Sequence, residues 1–343
     1  MAESDKKRRA KARRRLAKKR KQKQRVAVIF LIIIAILIVI LFMMERNKNG
    51  KNAGAKQSAG TEIQDSQDSS AATSVDTSEQ SEPAESVKML NLTAEQMHSG
   101  DLVLVNGSYV YDFDANAPTV SLVNIHDTQS FNYPVGKEDF EVAGRIMPYL
   151  DQLVDACDSA VGSKMTGVAS AYRSMEYQQS VWDEMAELYG EEYARSYVAI
   201  PGYSEHHTGL SVDMSIFYED GSEGTFSESE NAVWMNENSY HYGFVRRYAE
   251  DKVEVTGISN EAWHFRYVGI PHATYMATQN LCLEEYIDYL RANARADNPL
   301  SITCDSGTYE VFFTTETTIE EPEGEYTVSG NNVDGYIITV KTA

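Results

Sequence analysis

Ser204-Glu205-His206-His207-Thr208-Gly209-Leu210-Ser211-Val212-Asp213-Met214-Ser215-Ile216 reads as a tight turn running into a strand. Gly209 supplies the conformational freedom the turn needs. From there the residues alternate strictly: Leu210, Val212, Met214 and Ile216 fall on one face, Ser211, Asp213 and Ser215 on the other. A second segment repeats the pattern. Between Trp263 and Val268, His264 and Arg266 share one side while Trp263, Phe265 and Tyr267 share the opposite one. Two half-polar strands predict an antiparallel sheet with helices packed behind its apolar face, an α+β fold.

The polar faces carry the chemistry. His206, Asp213 and His264 form a set of two imidazoles and one carboxylate, and three protein ligands with one open position are the pattern of catalytic zinc. Glu261, three residues before His264, is the spare carboxylate that would act as general base. Ser211 and Ser215 flank Asp213 on its face and are expected to hydrogen-bond it. Taken singly, each of these residues has a blander explanation. The chain has seven histidines, and a lone one is more often structural; a lone aspartate on a polar strand face is more often solvated. The coincidence of the full set carries the expectation. His207 is the nearest rival to His206, and alternation along an extended segment lets only one of the two face the metal.

Outward from the site, charge is very uneven. Residues 1–25 hold 14 Lys and Arg against Glu3 and Asp5, a net of +12, whereas the chain as a whole carries −20. Val26 to Met44 is an unbroken run of 19 apolar residues. As a helix it would span about 28 Å, close to the ~30 Å hydrocarbon core of a bilayer. It is longer than the ~7–15-residue apolar region of a cleaved signal peptide and lacks a small-residue cleavage site. The basic flank precedes it, so residues 1–25 are expected in the cytoplasm and everything after Met44 outside, a single-pass membrane protein with an extracellular catalytic domain. The basic tail is then an orientation signal suited to anionic lipid, not a nucleic-acid-binding arm. Residues 45–88, rich in Ser, Gln, Asp, Glu, Ala and Gly, are expected to form a disordered linker.

Residues 89–295 are expected to form the catalytic domain. Leu102 to Val105 reads as a strand and Val142 to Val161 as an amphipathic helix, with Pro148 either kinking it or marking its true first turn. Ser174 is a candidate N-cap for a helix ending at Gly190, with Tyr177, Val181, Trp182, Met185 and Leu188/Tyr189 on its buried side. A further helix is expected over Leu283 to Ala294. Residues 296–343 read as a small β appendage, with strands at Tyr309–Thr315, Tyr326–Ser329 and Gly335–Val340. At this size it should lean on the catalytic domain. Cys157 falls on an apolar helical stripe, and Cys282 with Cys304 is a candidate bridge in an oxidising compartment.

Ser204-x-His206-x-x-Gly209-x-Ser211-x-Asp213 and Glu261-x-x-His264 resemble the SxHxxGxAxD and ExxH signatures of the VanY-type D-alanyl-D-alanine carboxypeptidases. Ser170-Ala171-Tyr172-Arg173-Ser174, Tyr242-Gly243-Phe244 with Arg247-Tyr248, and Trp263-His264-Phe265-Arg266-Tyr267-Val268-Gly269 extend the likeness over residues 97–295. The chain departs from the pattern at Ser211, where Ala is usual, and at His207, where Gln is common. The resemblance implies zinc-dependent removal of the C-terminal D-Ala from peptidoglycan stem peptides. By the same resemblance Arg173 would bind the terminal carboxylate, Gln178 and Ser204 would contact substrate, and Tyr248 would support the tetrahedral intermediate. The alternatives are an L,D-carboxypeptidase, an endopeptidase on cross-bridges, or a non-catalytic wall-binding protein. Comparing release from pentapeptide, tetrapeptide and dipeptide separates the enzymes, and metal analysis separates the last.

Overall fold

The computed structural model describes residues 87–116, 120–162 and 165–343. The cytoplasmic tail (1–25), the apolar run (26–44) and all but the end of the linker (45–88) lie outside the described residues. Among the described residues no helix is long and apolar enough to cross a membrane.

The sheet predicted from the alternating segments is present and antiparallel. Its strands are β1 (Thr166–Ser170), β2 (Ser211–Phe217), the two-residue β3 (Glu223–Gly224), β4 (Phe244–Tyr248) and β5 (Glu261–Tyr267). They lie in the order β1-β2-β5-β4, with β3 pairing β2. Val168, Val212, Met214, Ile216 and Phe265 face a core closed by helices α1 (Met147–Val161) and α4 (Glu230–Asn238). Leu150, Leu153, Val154 and Cys157 on α1, with Ala232 and Met235 on α4, fill it. Cys157 is thus the buried apolar residue its position on the stripe predicted.

The helix predicted from Val142 starts later. Glu141–Ala143 pairs as a strand with Leu122–Asn124, a 3₁₀ turn follows, and α1 begins at Met147 with Pro148 in its first turn. Proline suits that position because its missing N–H has no partner there in any case. Ser174 does cap helix α2 (Met175–Tyr189), accepting from the Tyr177 N–H at 3.2 Å, and the helix stops at Gly190 before the shorter α3 (Glu191–Tyr197). Its apolar stripe is not core, however. Gln178 is the buried residue of α2, while Leu188 and Tyr189 stand exposed.

Leu102 to Val105 is buried but is not a strand. Its backbone is satisfied by other groups. The Leu102 N–H donates to Ser329 Oγ (2.9 Å), the Leu104 N–H to the Asn331 carbonyl (3.1 Å), and the Asp101 and Val103 carbonyls accept from Arg266 Nη2.

After α5 (Ile270–Gln279) and α6 (Leu283–Asn293), strands β6 (Leu300–Cys304), β7 (Gly307–Thr314), β8 (Tyr326–Gly330) and β9 (Tyr336–Lys341) form an antiparallel sheet ordered β8-β9-β7-β6. The Asn331 side chain builds the β8–β9 turn, its Oδ1 accepting from the N–H groups of Val333, Asp334 and Gly335. Ile302, Val311 and Ile337 of this sheet share a core with Leu104, Met276, Tyr286 and Leu290, so the appendage leans on the helices as expected. Cys282 and Cys304 are both free thiols. Cys282 is tied to the start of α6, where its N–H donates to Glu285, and Cys304 Sγ lies against Ser306 Oγ, so the candidate bridge is not made.

His272 joins this core to the sheet: its Nδ1 meets the Tyr286 hydroxyl at 2.8 Å and its Nε2 the Thr339 hydroxyl at 3.0 Å. Burial pushes its imidazole from 6.5 down to about 3. The unfolded chain therefore takes up this proton more readily. Its contribution is complete above pH 6.5 and is lost as pH falls from 6.5 toward 3. Between pH 7 and 4 the unfolding free energy of the wild-type chain should fall by up to about 1.4 kcal/mol per pH unit more steeply than that of His272→Asn. Denaturant titrations at several pH values measure this, and parallel slopes would rule it out.

Candidate active site

Asp213 of β2 and His264 of β5 are direct partners in the antiparallel register, as are Ser211 and Arg266 one pleat away on the same face. Pairing alone therefore brings one carboxylate and one imidazole together. His206 arrives from the 3₁₀ turn Glu205–Thr208, capped by Ser204, whose hydroxyl accepts from the His206 N–H at 3.4 Å. Gly209 ends that turn at φ 67°, and a Cβ there would meet the Leu122 side chain at 2.9 Å and the Ala143 nitrogen at 3.0 Å. Only glycine fits both the conformation and the space.

His206 Nε2 stands 3.3 Å from Asp213 Oδ2, and His264 Nδ1 stands 3.0 Å from Asp213 Oδ1. One donor atom from each of the three residues lies within 4.8 Å of the others, close enough to hold one ion. The remaining ring nitrogens are engaged: His206 Nδ1–H donates to the Ala171 carbonyl at 2.7 Å, and His264 Nε2 faces Glu205 Oε2 at 3.4 Å. Such outer partners fix the tautomer and leave the inner nitrogen free to ligate. Two imidazoles and a carboxylate, with no thiolate, form a donor set that fits catalytic zinc. Burial alone would raise the Asp213 carboxyl, but His206, His264 and Arg173 outweigh it and hold the group well below its ordinary value.

His207 points elsewhere. Its Nδ1–H donates to the Arg173 carbonyl at 2.6 Å and its Nε2 accepts from the Gly202 N–H at 3.0 Å, so both nitrogens are taken. The two histidines separate because they sit on a 3₁₀ turn, not through strand alternation as the sequence suggested.

Glu261 opens β5 opposite Tyr248 of β4, with Oε2 3.9 Å from His264 Nδ1. Burial raises its carboxyl against the pull of His264 and Arg173 toward ionisation, which makes it a stronger proton acceptor than an exposed carboxylate. Tyr248 is buried, its ring 4.8 Å from that of His264. Arg173 places Nη2 2.7 Å from Asp213 Oδ2, Nη1 3.2 Å from Gln178 Oε1 and Nε 3.0 Å from Ser170 Oγ. Arg173, Ser204, His206, Asp213, Tyr248, Glu261 and His264 all line one cavity of about 340 Å³. Gln178 does not. Its amide is used at both ends, accepting from Arg173 and donating to the Ala199 carbonyl at 2.7 Å, so it props Arg173 instead of facing the cavity.

Glu205 was not singled out from the sequence. It is fully buried, and its Oε1 accepts from Arg247 Nε (2.8 Å) and Arg266 Nη1 (3.1 Å), both of them also buried. Arg247 continues to Glu284 at the start of α6 through a 2.6 Å contact. Burial alone would raise the Glu205 carboxyl, but the two guanidiniums reverse this and hold it ionised. One signal was legible: Arg266 shares a strand face with His264, so a buried partner for it had to exist.

The serines beside Asp213 do not bond it. Ser215 Oγ donates to the Gly224 carbonyl at 3.1 Å, and Ser211 Oγ is buried with no hydrogen-bond partner among the described residues.

Fold and site together define a metal-dependent hydrolase built on an antiparallel sheet. Residues 140–270 match the family model described as VanY, D-alanyl-D-alanine carboxypeptidase. A D-alanyl-D-alanine carboxypeptidase of Enterococcus faecium is 35% identical over 269 residues, covering 76% of this chain and 82% of that protein. Another of the same description from Enterococcus faecalis is 46% identical over 153 residues, covering 42% of this chain and 54% of that protein. Among solved structures, the vancomycin-resistance D,D-dipeptidase VanXYg, in complex with a D-Ala-D-Ala phosphinate analogue, superposes with a TM-score of 0.65. It is 30% identical, and the match covers 74% of this chain and 99% of that one. The chain belongs to the VanY family of D-alanyl-D-alanine carboxypeptidases.

An unpartnered buried hydroxyl costs about 1–3 kcal/mol. Ser211→Ala should therefore stabilise the chain, by about 1 kcal/mol, with zinc affinity unaltered. Denaturant unfolding of the two chains tests this, and a destabilised variant would show that the hydroxyl has a partner after all.

Proposed function

We propose that this chain is a zinc D,D-carboxypeptidase that removes the terminal D-Ala from peptidoglycan stem peptides. The observation that carries the reading is the convergence of His206, Asp213 and His264 in one cavity with Glu261 and Arg173. The family supports it, as does VanXYg with its bound D-Ala-D-Ala analogue.

His206 Nε2, Asp213 and His264 Nδ1 would hold the zinc. When bound, the ion supplies Lewis-acid polarisation of the scissile carbonyl and makes water acidic enough to act as a nucleophile near neutrality. Glu261 takes the proton of the attacking water at a carboxylate oxygen and returns it to the leaving amine. Its place beside His264 puts the base at the reacting centre. Arg173 receives the terminal carboxylate through its guanidinium N–H groups, and the Gln178 and Ser170 contacts fix the direction in which it points. A cation at the mouth of helix α2 suits an anionic chain end, because the helix N-terminus adds favourable potential. The Tyr248 hydroxyl donates to the carbonyl oxygen as charge develops on it. Ser204 lines the same cavity and contacts substrate by its hydroxyl.

The apolar run 26–44, with its basic flank, supports a single membrane anchor that puts the catalytic domain outside the cell. Peptidoglycan lies on that side, so the proposed topology and substrate agree.

Incubating the full-length chain with zinc and a stem pentapeptide should release one D-Ala. In Glu261→Ala the rate should fall about 10²–10⁴-fold, the usual worth of a positioned base. Release confined to a tetrapeptide would point instead to L,D-cleavage, and release undiminished in Glu261→Ala would defeat the mechanism.

A further inference from the structure

A second cavity lies away from the metal site and shares no lining residue with it. Its volume is about 410 Å³, within the ~300–1,000 Å³ usual for small-molecule sites. Glu261, at the start of β5, lines the metal cavity, and Tyr267, at the end of that strand, lines the second. At ~3.3 Å per residue the two positions lie about 20 Å apart. The proposed hydrolysis makes no use of this space.

One wall is the C-terminal sheet. Its face toward the helices is apolar at Ile302, Val311 and Ile337, which belong to the shared core. Further along the same face the residues turn polar. The Lys341 N–H donates to the Glu325 carbonyl at 2.9 Å and Lys341 pairs with Tyr309, so Glu325, Lys341 and Tyr309 stand in one row across the sheet. Thr327, Thr339 and Val311 make the next row. The period of two keeps both rows on the face that carries Ile337. Glu325 and Lys341 are exposed, and neither side chain has a hydrogen bond or ion pair among the described residues. The facing wall comes from the catalytic domain. There the rings of Tyr149 and Tyr267 lie with centroids 5.1 Å apart at 38°, and Arg145 Nε donates to Asp101 Oδ1 at 2.7 Å.

The chemistry of these walls selects a ligand. Two cations, Arg145 and Lys341, balance two anions, Asp101 and Glu325, so the cavity favours an ion of neither sign. Tyrosine rings offer flat apolar surface, and the polar groups around them include both donors and acceptors. A sugar complements both, with C–H faces for the rings and hydroxyls that donate and accept.

We infer that this cavity binds a saccharide of the cell-wall glycan strand. Tyr149, Tyr267 and Tyr309 pack against the sugar, while Asp101, Glu325, Arg145 and Lys341 hydrogen-bond its hydroxyl and acetamido groups. The inference rests on the proposed function in taking the sugar from the polymer that carries the stem peptides. It adds a hold on that polymer away from the metal, which raises the effective concentration of peptide ends at the active site.

Glycan strands freed of stem peptides are the probe, in calorimetry with the full-length, zinc-loaded chain. Binding is expected. Combining Glu325→Ala with Lys341→Ala, both at exposed positions, should weaken it about tenfold or more, the effect of losing two hydrogen-bonding groups. Tyr309→Ala should weaken it as well, whereas Tyr309→Phe, which keeps the ring, should not. The double variant should release D-Ala from a soluble pentapeptide at the wild-type rate, but act on intact wall about threefold or more slowly. The proposal is overturned if the glycan does not bind, if binding is unchanged in the double variant or in Tyr309→Ala, or if the double variant keeps its full rate on intact wall. Displacement of the glycan by acetyl-D-Ala-D-Ala would also overturn it, by placing the sugar in the metal cavity. A chain that binds the glycan yet releases no D-Ala would count against the carboxypeptidase reading alone.

Discussion

The pairing of Asp213 with His264 across two antiparallel strands is the contact on which the rest depends. Side chains alternate with period two, so a slip of one residue between β2 and β5 would send one of these two side chains into the apolar core. The register is held from the other face, where Val212, Met214, Ile216 and Phe265 pack against α1 and α4. The core therefore does more than stabilise the sheet. It decides that a carboxylate and an imidazole meet, while the turn at Gly209 brings His206 to them.

Behind His264 lies the other costly feature, the buried cluster of Glu205, Arg247, Arg266 and Glu284. Its formal charges balance, two against two. Removing one member of such a cluster strands a charge in the interior and typically costs about 3–5 kcal/mol. What the fold gains is orientation. Glu205 faces the outer nitrogen of His264, one of the three residues proposed to hold the zinc, and Arg247 ties that carboxylate to the first turn of α6. The C-terminal helices and the sheet packed on them are thereby coupled to the active site, although they contribute no residue to its chemistry.

Much of this was legible in the sequence, because period-two alternation marks both strands, and Asp213 and His264 ride on their polar faces. The caps Ser174 and Gly190 and the first-turn proline of α1 are local signals, and local signals survive without tertiary context. What was not legible depends on partners distant in the chain. Leu102–Val105 has strand composition, but its backbone groups bond to Ser329, Asn331 and Arg266 instead of a ladder. The α2 stripe has core periodicity, yet it faces a cavity, a distinction that no helical spacing encodes. Ser211 looked like a partner for Asp213 because the two share a face, but strand neighbours two apart diverge enough that Arg173 and the imidazoles take the carboxylate first.

The account turns on which side chains hold the metal. X-ray absorption at the zinc edge, on the full-length chain and on His206→Ala and His207→Ala, reads that shell directly. Two imidazoles with oxygen donors and no sulfur are expected, one imidazole disappearing in His206→Ala and none in His207→Ala. Sulfur in the shell, or an imidazole lost with His207 instead, would contradict the assignment of His206, Asp213 and His264.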